Sequence, residues 1–166
     1  CEAKFHKHSY GFRPLRSTKH AISRAYHLSQ QNNLHYVVDV DIKGFFDNIN
    51  QGKLLKQLWT LGIRDKSLIA VISKMLKAEI ENIGIPDKGT PQGGILSPLL
   101  ANVVLNEFDW WISSQWENMP TERQYALARG YETAKIRALK TTNLKEVYIV
   151  RYADDFLIGV IGSKAE

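Results

Sequence analysis

Two apolar stretches rich in β-branched and aromatic residues, 147–152 and 156–161, enclose Ala153-Asp154-Asp155. Runs of this length and composition form strands, and the acids between them mark a turn. The pattern predicts a β-hairpin with both carboxylates at its tip. Adjacent carboxylates repel each other and are costly to desolvate. In a regular strand neighbours face opposite sides, whereas at a turn both can face one way. Asp is an ordinary turn residue, so the pair on an exposed loop would need no explanation. Here the turn is held between strands that read as buried, and a divalent cation would remove the conflict.

A second acidic strand lies far away in the chain. Residues 36–42, Tyr-Val-Val-Asp-Val-Asp-Ile, have strand composition between polar flanks. Alternation puts Tyr36, Val38, Val40 and Ile42 on one face and Val37, Asp39 and Asp41 on the other. Three carboxylates on neighbouring strand ends would make a hard-oxygen site suited to Mg²⁺. Two such ions ~4 Å apart can activate an attacking hydroxyl and stabilise a leaving oxygen in a phosphoryl displacement. Spacing alone leaves open whether Asp39 or Asp41 would be the ligand.

Between these strands the periodicity is helical. Ser17 or Thr18 can cap a helix with Ala21, Ile22 and Ala25 on one face, ending within residues 29–33. Helices are predicted at about 52–60 and 66–77. Ser97 as N-cap and Pro98 at the first position open a longer helix. Its buried stripe is read as Ala101, Val104, Leu105, Phe108, Trp111 and Ile112, with Asn102, Asn106 and Asp109 opposite. Residues 78–94 read as a short strand or hairpin, then a glycine-rich loop containing Thr90-Pro91-Gln92-Gly93-Gly94. Paired glycines let a backbone approach closely, and Gln92 offers donors and an acceptor to a base edge or sugar. Alone, that loop is an ordinary turn.

Composition limits the function classes. At 166 residues, 44% hydrophobic and 23% charged, the chain reads as one globular domain. Its single cysteine, Cys1, excludes an intrachain disulfide and a Cys-rich zinc site. No apolar run approaches the ~20 residues a spanning helix needs, so no membrane partner is expected. Net charge is +5, with Lys/Arg concentrated in residues 1–27 and 119–145. Basic segments flanking an acidic middle suit a phosphate backbone passing a metal site, although solvated helix faces would give the same tally. The first residue is not Met, and both ends read as cuts within a longer protein.

Three stretches in this order, DIKGFFDNI, GTPQGGILSPLLANVVLNEFD and YADD followed by an apolar strand, resemble the successive palm motifs of reverse transcriptases. SYGFRPLRSTKHAI, TPQGGILSPLLANVVL and VYIVRYADDF are similar to the group II intron branch, whose full-length members combine reverse transcriptase and maturase activities. The resemblance runs from about residue 9 to residue 161. It implies that Asp41 is the metal ligand of the first motif, joined by the carbonyl of Ile42. Asp154 is then the principal ligand of the second motif and Asp155 a supporting carboxylate. Phe46 matches the aromatic gate against a ribose 2′-OH. Gln92 matches the residue touching the incoming nucleotide, with Pro91 and Gly93 shaping its loop. Asp47 is expected to have a structural role such as capping the following helix. Arg13, Arg16 and Tyr152 are expected near nucleic acid. Gln51 stands where relatives often have His, with little consequence expected.

The fold expected is α+β: a right-hand palm over residues 36–166, with a small antiparallel sheet backed by helices. Residues 1–35 would be part of the fingers, and 117–145 a basic, helical insertion. The thumb and first part of the fingers would lie outside these residues, leaving this piece inactive alone. The resemblance implies RNA-directed DNA synthesis with two Mg²⁺ ions, Mn²⁺ being able to substitute. RNA template, DNA primer, dNTP and group II intron RNA are the implied partners. A bacterial cytoplasmic setting is expected ahead of an organellar one. Retron, diversity-generating and CRISPR-associated reverse transcriptases remain alternatives, as does a mainly RNA-binding maturase scaffold.

Overall fold

A three-stranded antiparallel sheet of order β1-β3-β2 organises the chain, with β1 at Tyr36–Val40, β2 at Glu146–Tyr152 and β3 at Asp155–Ile161. The computed structural model describes residues 1–31, 34, 36–79, 84–91, 93–119, 121 and 131–161. The hairpin expected around Asp154 forms β2 and β3, registered from Glu146↔Ile161 to Tyr152↔Asp155. On its other edge β3 receives β1, from Tyr36↔Val160 to Val40↔Phe156. The architecture is therefore α+β.

The helices around the sheet are α1 (Thr18–Gln31), α2 (Phe45–Asn48), α3 (Gln51–Thr60), α4 (Lys66–Leu76), α5 (Ser97–Ser114) and α6 (Tyr131–Leu139). Local chemistry sets their starts. The Asn50 side chain accepts from Lys53 N at 2.8 Å, and Asp65 accepts from Ser67 N at 2.8 Å and Leu68 N at 3.2 Å. Asn50, rather than Asp47, thus caps α3. Gly44 opens α2 at φ 61°, a conformation glycine adopts readily. Ser97 is not the cap of α5 but its first residue, and its hydroxyl donates to Pro91 O at 2.6 Å.

Among the described residues two apolar cores result. Leu54 and Leu58 of α3 interlock with Ile72 and Leu76 of α4 and with Leu100, Val103 and Leu105 of α5. The second core joins Ala21 and Leu28 of α1 to Trp116, Leu139, Tyr148 and Val150 on one face of the sheet. Ile22, expected to be buried with Ala21, lies 67% exposed; Ala21 and Leu28, seven residues apart, make the buried row.

The stripe of α5 also differs from expectation. Asn102, Asn106 and Asp109 are buried, while Trp111 is 59% exposed. The polar side faces inward because other buried polar groups meet it, as shown below. On this side of the sheet Phe108 of α5 also meets Phe156 of β3, with ring centroids 5.0 Å apart. The basic segment after α5 contributes α6, while residues 120 and 122–130 lie outside the described residues. No helix among the described residues is long and apolar enough to cross a membrane.

Candidate functional site

The β2–β3 turn is tight. Tyr152 pairs with Asp155, leaving Ala153 and Asp154 between the strands. Ala153 takes φ 59° and is buried, while Asp154 is half-buried and Asp155 exposed. The last residue pair between β1 and β3 is Val40↔Phe156, so Asp41 is the next residue off the end of β1, on the side where Asp155 begins β3. Asp39, paired with Leu157, shares a sheet face with Asp155 by alternation.

Electrostatics ties these acids together. The Asp155 carboxyl is held above its ordinary range, first by desolvation and then by the negative charges of Asp154, Asp41 and Asp39. Residues more than a hundred positions apart thus feel one another at one end of the sheet. Among the described residues, no three carboxylate, imidazole or thiolate groups stand close enough to form a ready-made metal cluster. The donor set, all carboxylate oxygen and in excess of negative charge, fits a hard divalent cation. The Ile42 carbonyl accepts from Phe45 N at 3.1 Å and keeps a second lone pair.

Phe46 is half-buried at the edge of the first core, its ring against Phe45 at 5.5 Å and 72°. Its carbonyl accepts from Thr90 N at 2.8 Å, and Ile49 O accepts from Gly89 N at 2.7 Å. These bonds lay the 89–91 segment along α2, bringing Pro91 and Phe46 into one region. Pro91 O is held by Gly94 N at 3.1 Å and by Ser97 Oγ. Gly93 is exposed at φ 77°. Gln92 lies outside the described residues.

The basic residues divide. Arg13 is buried: its guanidinium binds Glu2 Oε1 at 2.6 and 2.8 Å and the carbonyls of His6 and Ser9 at 2.6 and 2.9 Å. That side chain serves the fold and is not presented to a nucleic acid. Arg16 bonds the carbonyl of Lys7 and stacks over Tyr10 at 5.5 Å from the ring centre. It also lines an open cleft of about 750 Å³ with His20, Arg24 and His27. Tyr152, half-buried, packs against the second core across from Asp155.

The sequence reading missed a buried polar network behind the turn. Arg151, 1% exposed, forks onto Asp109 with Nε–Oδ1 at 2.8 Å and Nη2–Oδ2 at 2.7 Å. Burial pushes the Asp109 carboxyl up while the Arg151 fork pulls it down. An arginine inside an apolar strand was the available clue, because a buried guanidinium requires partners and α5 carries them at 102 and 109. His6, fully buried, donates its backbone N–H to Asn106 Oδ1 at 3.1 Å. Its imidazole is lowered to about 4, by desolvation first and then by neighbouring His8.

The small antiparallel sheet thus carries Asp154 and Asp155 at its hairpin turn, with Asp41 just beyond the neighbouring strand and the half-buried Phe46 beside the 89–91 segment. The chain belongs to the reverse transcriptase (RNA-dependent DNA polymerase) family, whose sequence model matches residues 1–165. Among its relatives is the group II intron-encoded protein LtrA of Lactococcus lactis subsp. cremoris, 36% identical over 99% of this chain and 33% of that protein. Protein YkfC of Escherichia coli is 33% identical over 99% of this chain and 45% of its own length. The putative COX1/OXI3 intron 1 protein of Saccharomyces cerevisiae is 34% identical over 98% of this chain and 22% of that protein. The resemblance to the group II intron branch is borne out by these relatives. The chain spans less than half the length of each.

Proposed function

We propose that this chain carries the polymerisation centre of a group II intron-encoded reverse transcriptase, joining a dNTP to a primer 3′-OH on an RNA template. The reading is supported by membership of the reverse transcriptase family and by the placement of Asp41 just beyond β1, beside the β2–β3 turn that carries Asp154 and Asp155. Asp41, the Ile42 carbonyl, Asp154 and Asp155 would hold two Mg²⁺ ions, or Mn²⁺ in their place. When bound, the ions supply Lewis-acid activation of the attacking hydroxyl and charge stabilisation at the departing pyrophosphate.

The remaining work is positioning, the main protein contribution in phosphoryl transfer. Asp41 and Asp154 would supply negative oxygens at one end of the sheet. The Phe46 ring, anchored on Phe45 and the first core, would exclude a 2′-hydroxyl from the sugar pocket. Pro91 and Gly93 would shape the loop that presents Gln92 to the nucleotide. Arg16 and Tyr152 would lie along the path of the nucleic acid. The sheet with α2–α5 corresponds in this reading to a palm, and residues 1–35 to part of the fingers.

Asp154→Asn in a full-length parent chain tests the site. Polymerisation should be lost in a primer-extension assay while circular dichroism stays that of the wild type, because the amide keeps the shape and removes the charge. Substantial retained extension would contradict the assignment. Intron RNA is the second proposed partner, with the open cleft lined by Arg16, His20, Arg24 and His27 in support.

A further inference from the structure

We propose that Arg151 is a positioning residue: it fixes the turn at Ala153, and through that turn the placement of the Asp154 and Asp155 carboxylates. The inference rests on reading those two acids as metal ligands, and it adds a residue that touches neither metal nor nucleotide.

A guanidinium has five N–H donors in a rigid fork. In Arg151 every one is used. Nε and Nη2 take Asp109, Nη2 also takes Ser9 Oγ at 2.7 Å, and Nη1 takes Asn102 Oδ1 at 3.0 Å and Ala153 O at 2.6 Å. A buried ion pair alone would need only the fork on Asp109. The bond to Ala153 O reaches instead into the turn two residues further along the chain. Ala153 sits at φ 59°, which a residue bearing a Cβ rarely adopts and keeps only when its surroundings hold it.

The opposite side of the turn is held by Gly11. A Cβ at Gly11 would lie 2.2 Å from Ala153 N, so only glycine allows the two backbones to meet. Gly11 O accepts from Asn102 Nδ2 at 2.9 Å, and the same Asn102 accepts from Arg151. The N-terminal segment is itself fastened to β2, with Tyr10 N donating to Arg151 O at 2.8 Å and Arg151 N to His8 O at 3.0 Å. Gly11, Asn102, Arg151 and Ala153 thus form a clamp rooted in α5, and the acids begin at the next residue.

Two variants of a full-length parent test this. Arg151→Lys keeps a charge beside Asp109 but loses the fork, since an ammonium has three donors and no planar geometry. Arg151→Met combined with Asp109→Leu removes the ion pair and fills its volume with apolar atoms, a change that cores often accept. Mn²⁺ binding is read by electron paramagnetic resonance without nucleic acid, at a temperature where circular dichroism shows the variant folded. Primer–template affinity is read separately. Both variants should bind Mn²⁺ about 10- to 100-fold more weakly, the usual range for lost support behind a metal ligand, with primer–template affinity unchanged. If the paired substitution does not fold, Arg151→Lys carries the test. Wild-type Mn²⁺ affinity in a folded Arg151 variant would overturn the positioning role. Asp154→Asn is the control: if it too binds Mn²⁺ normally, the metal-site reading fails as well, whereas lost binding there leaves that reading standing.

Discussion

His6 is an imidazole with no exposed surface, lowered to about 4 from an ordinary 6.5. The unfolded chain therefore binds a proton between those values that the folded chain does not. By linkage the stability this group contributes is complete above 6.5 and is lost as pH falls toward 4, with no further loss below. His8 is lowered too, again by burial first, and acts in the same direction. We predict that the melting temperature falls across this window, and that His6→Gln makes the fall shallower when both proteins are followed by calorimetry. Equal slopes would show that the imidazole does not carry the effect. At this scale the hairpin that places Asp154 and Asp155 at a turn was legible in the sequence, because two apolar runs flank the acids. Arg13 was not, because only Glu2 and the carbonyls of His6 and Ser9 reveal that its charge is satisfied internally.

Among the elements, Gln51 at the start of α3 has more consequence than its distance from the carboxylates suggests. Its buried Nε2 donates to Leu76 O at the end of α4 and to Gly89 O at the start of the glycine-rich loop, at 3.0 and 3.1 Å. Gly89 itself sits at φ 83° with no room for a Cβ against Asp47 O. Gln51→Ala would leave two buried carbonyls without a donor, a loss of about 1–3 kcal/mol by urea unfolding. A change within error of zero would mean that water or a shifted backbone replaces the amide. The helices and strands were readable because their apolar periods are local, although the cap of α3 is Asn50 and not Asp47. The orientation of α5 was not, because Asn102, Asn106 and Asp109 look like a solvent face until Arg151 and His6 arrive from distant parts of the chain.

For the molecule as a whole, the site depends on long-range assembly. In the proposed site Asp41 follows β1, Asp154 and Asp155 lie at the β2–β3 turn, and α5 with the N-terminal segment holds that turn from behind. Crystals of the full-length protein grown with Mn²⁺ and measured at an anomalous wavelength test this most directly. Anomalous peaks bounded by the carboxylates of Asp41, Asp154 and Asp155 are the predicted result. Mn²⁺ bound elsewhere, with those three side chains directed into separate regions, would contradict the account.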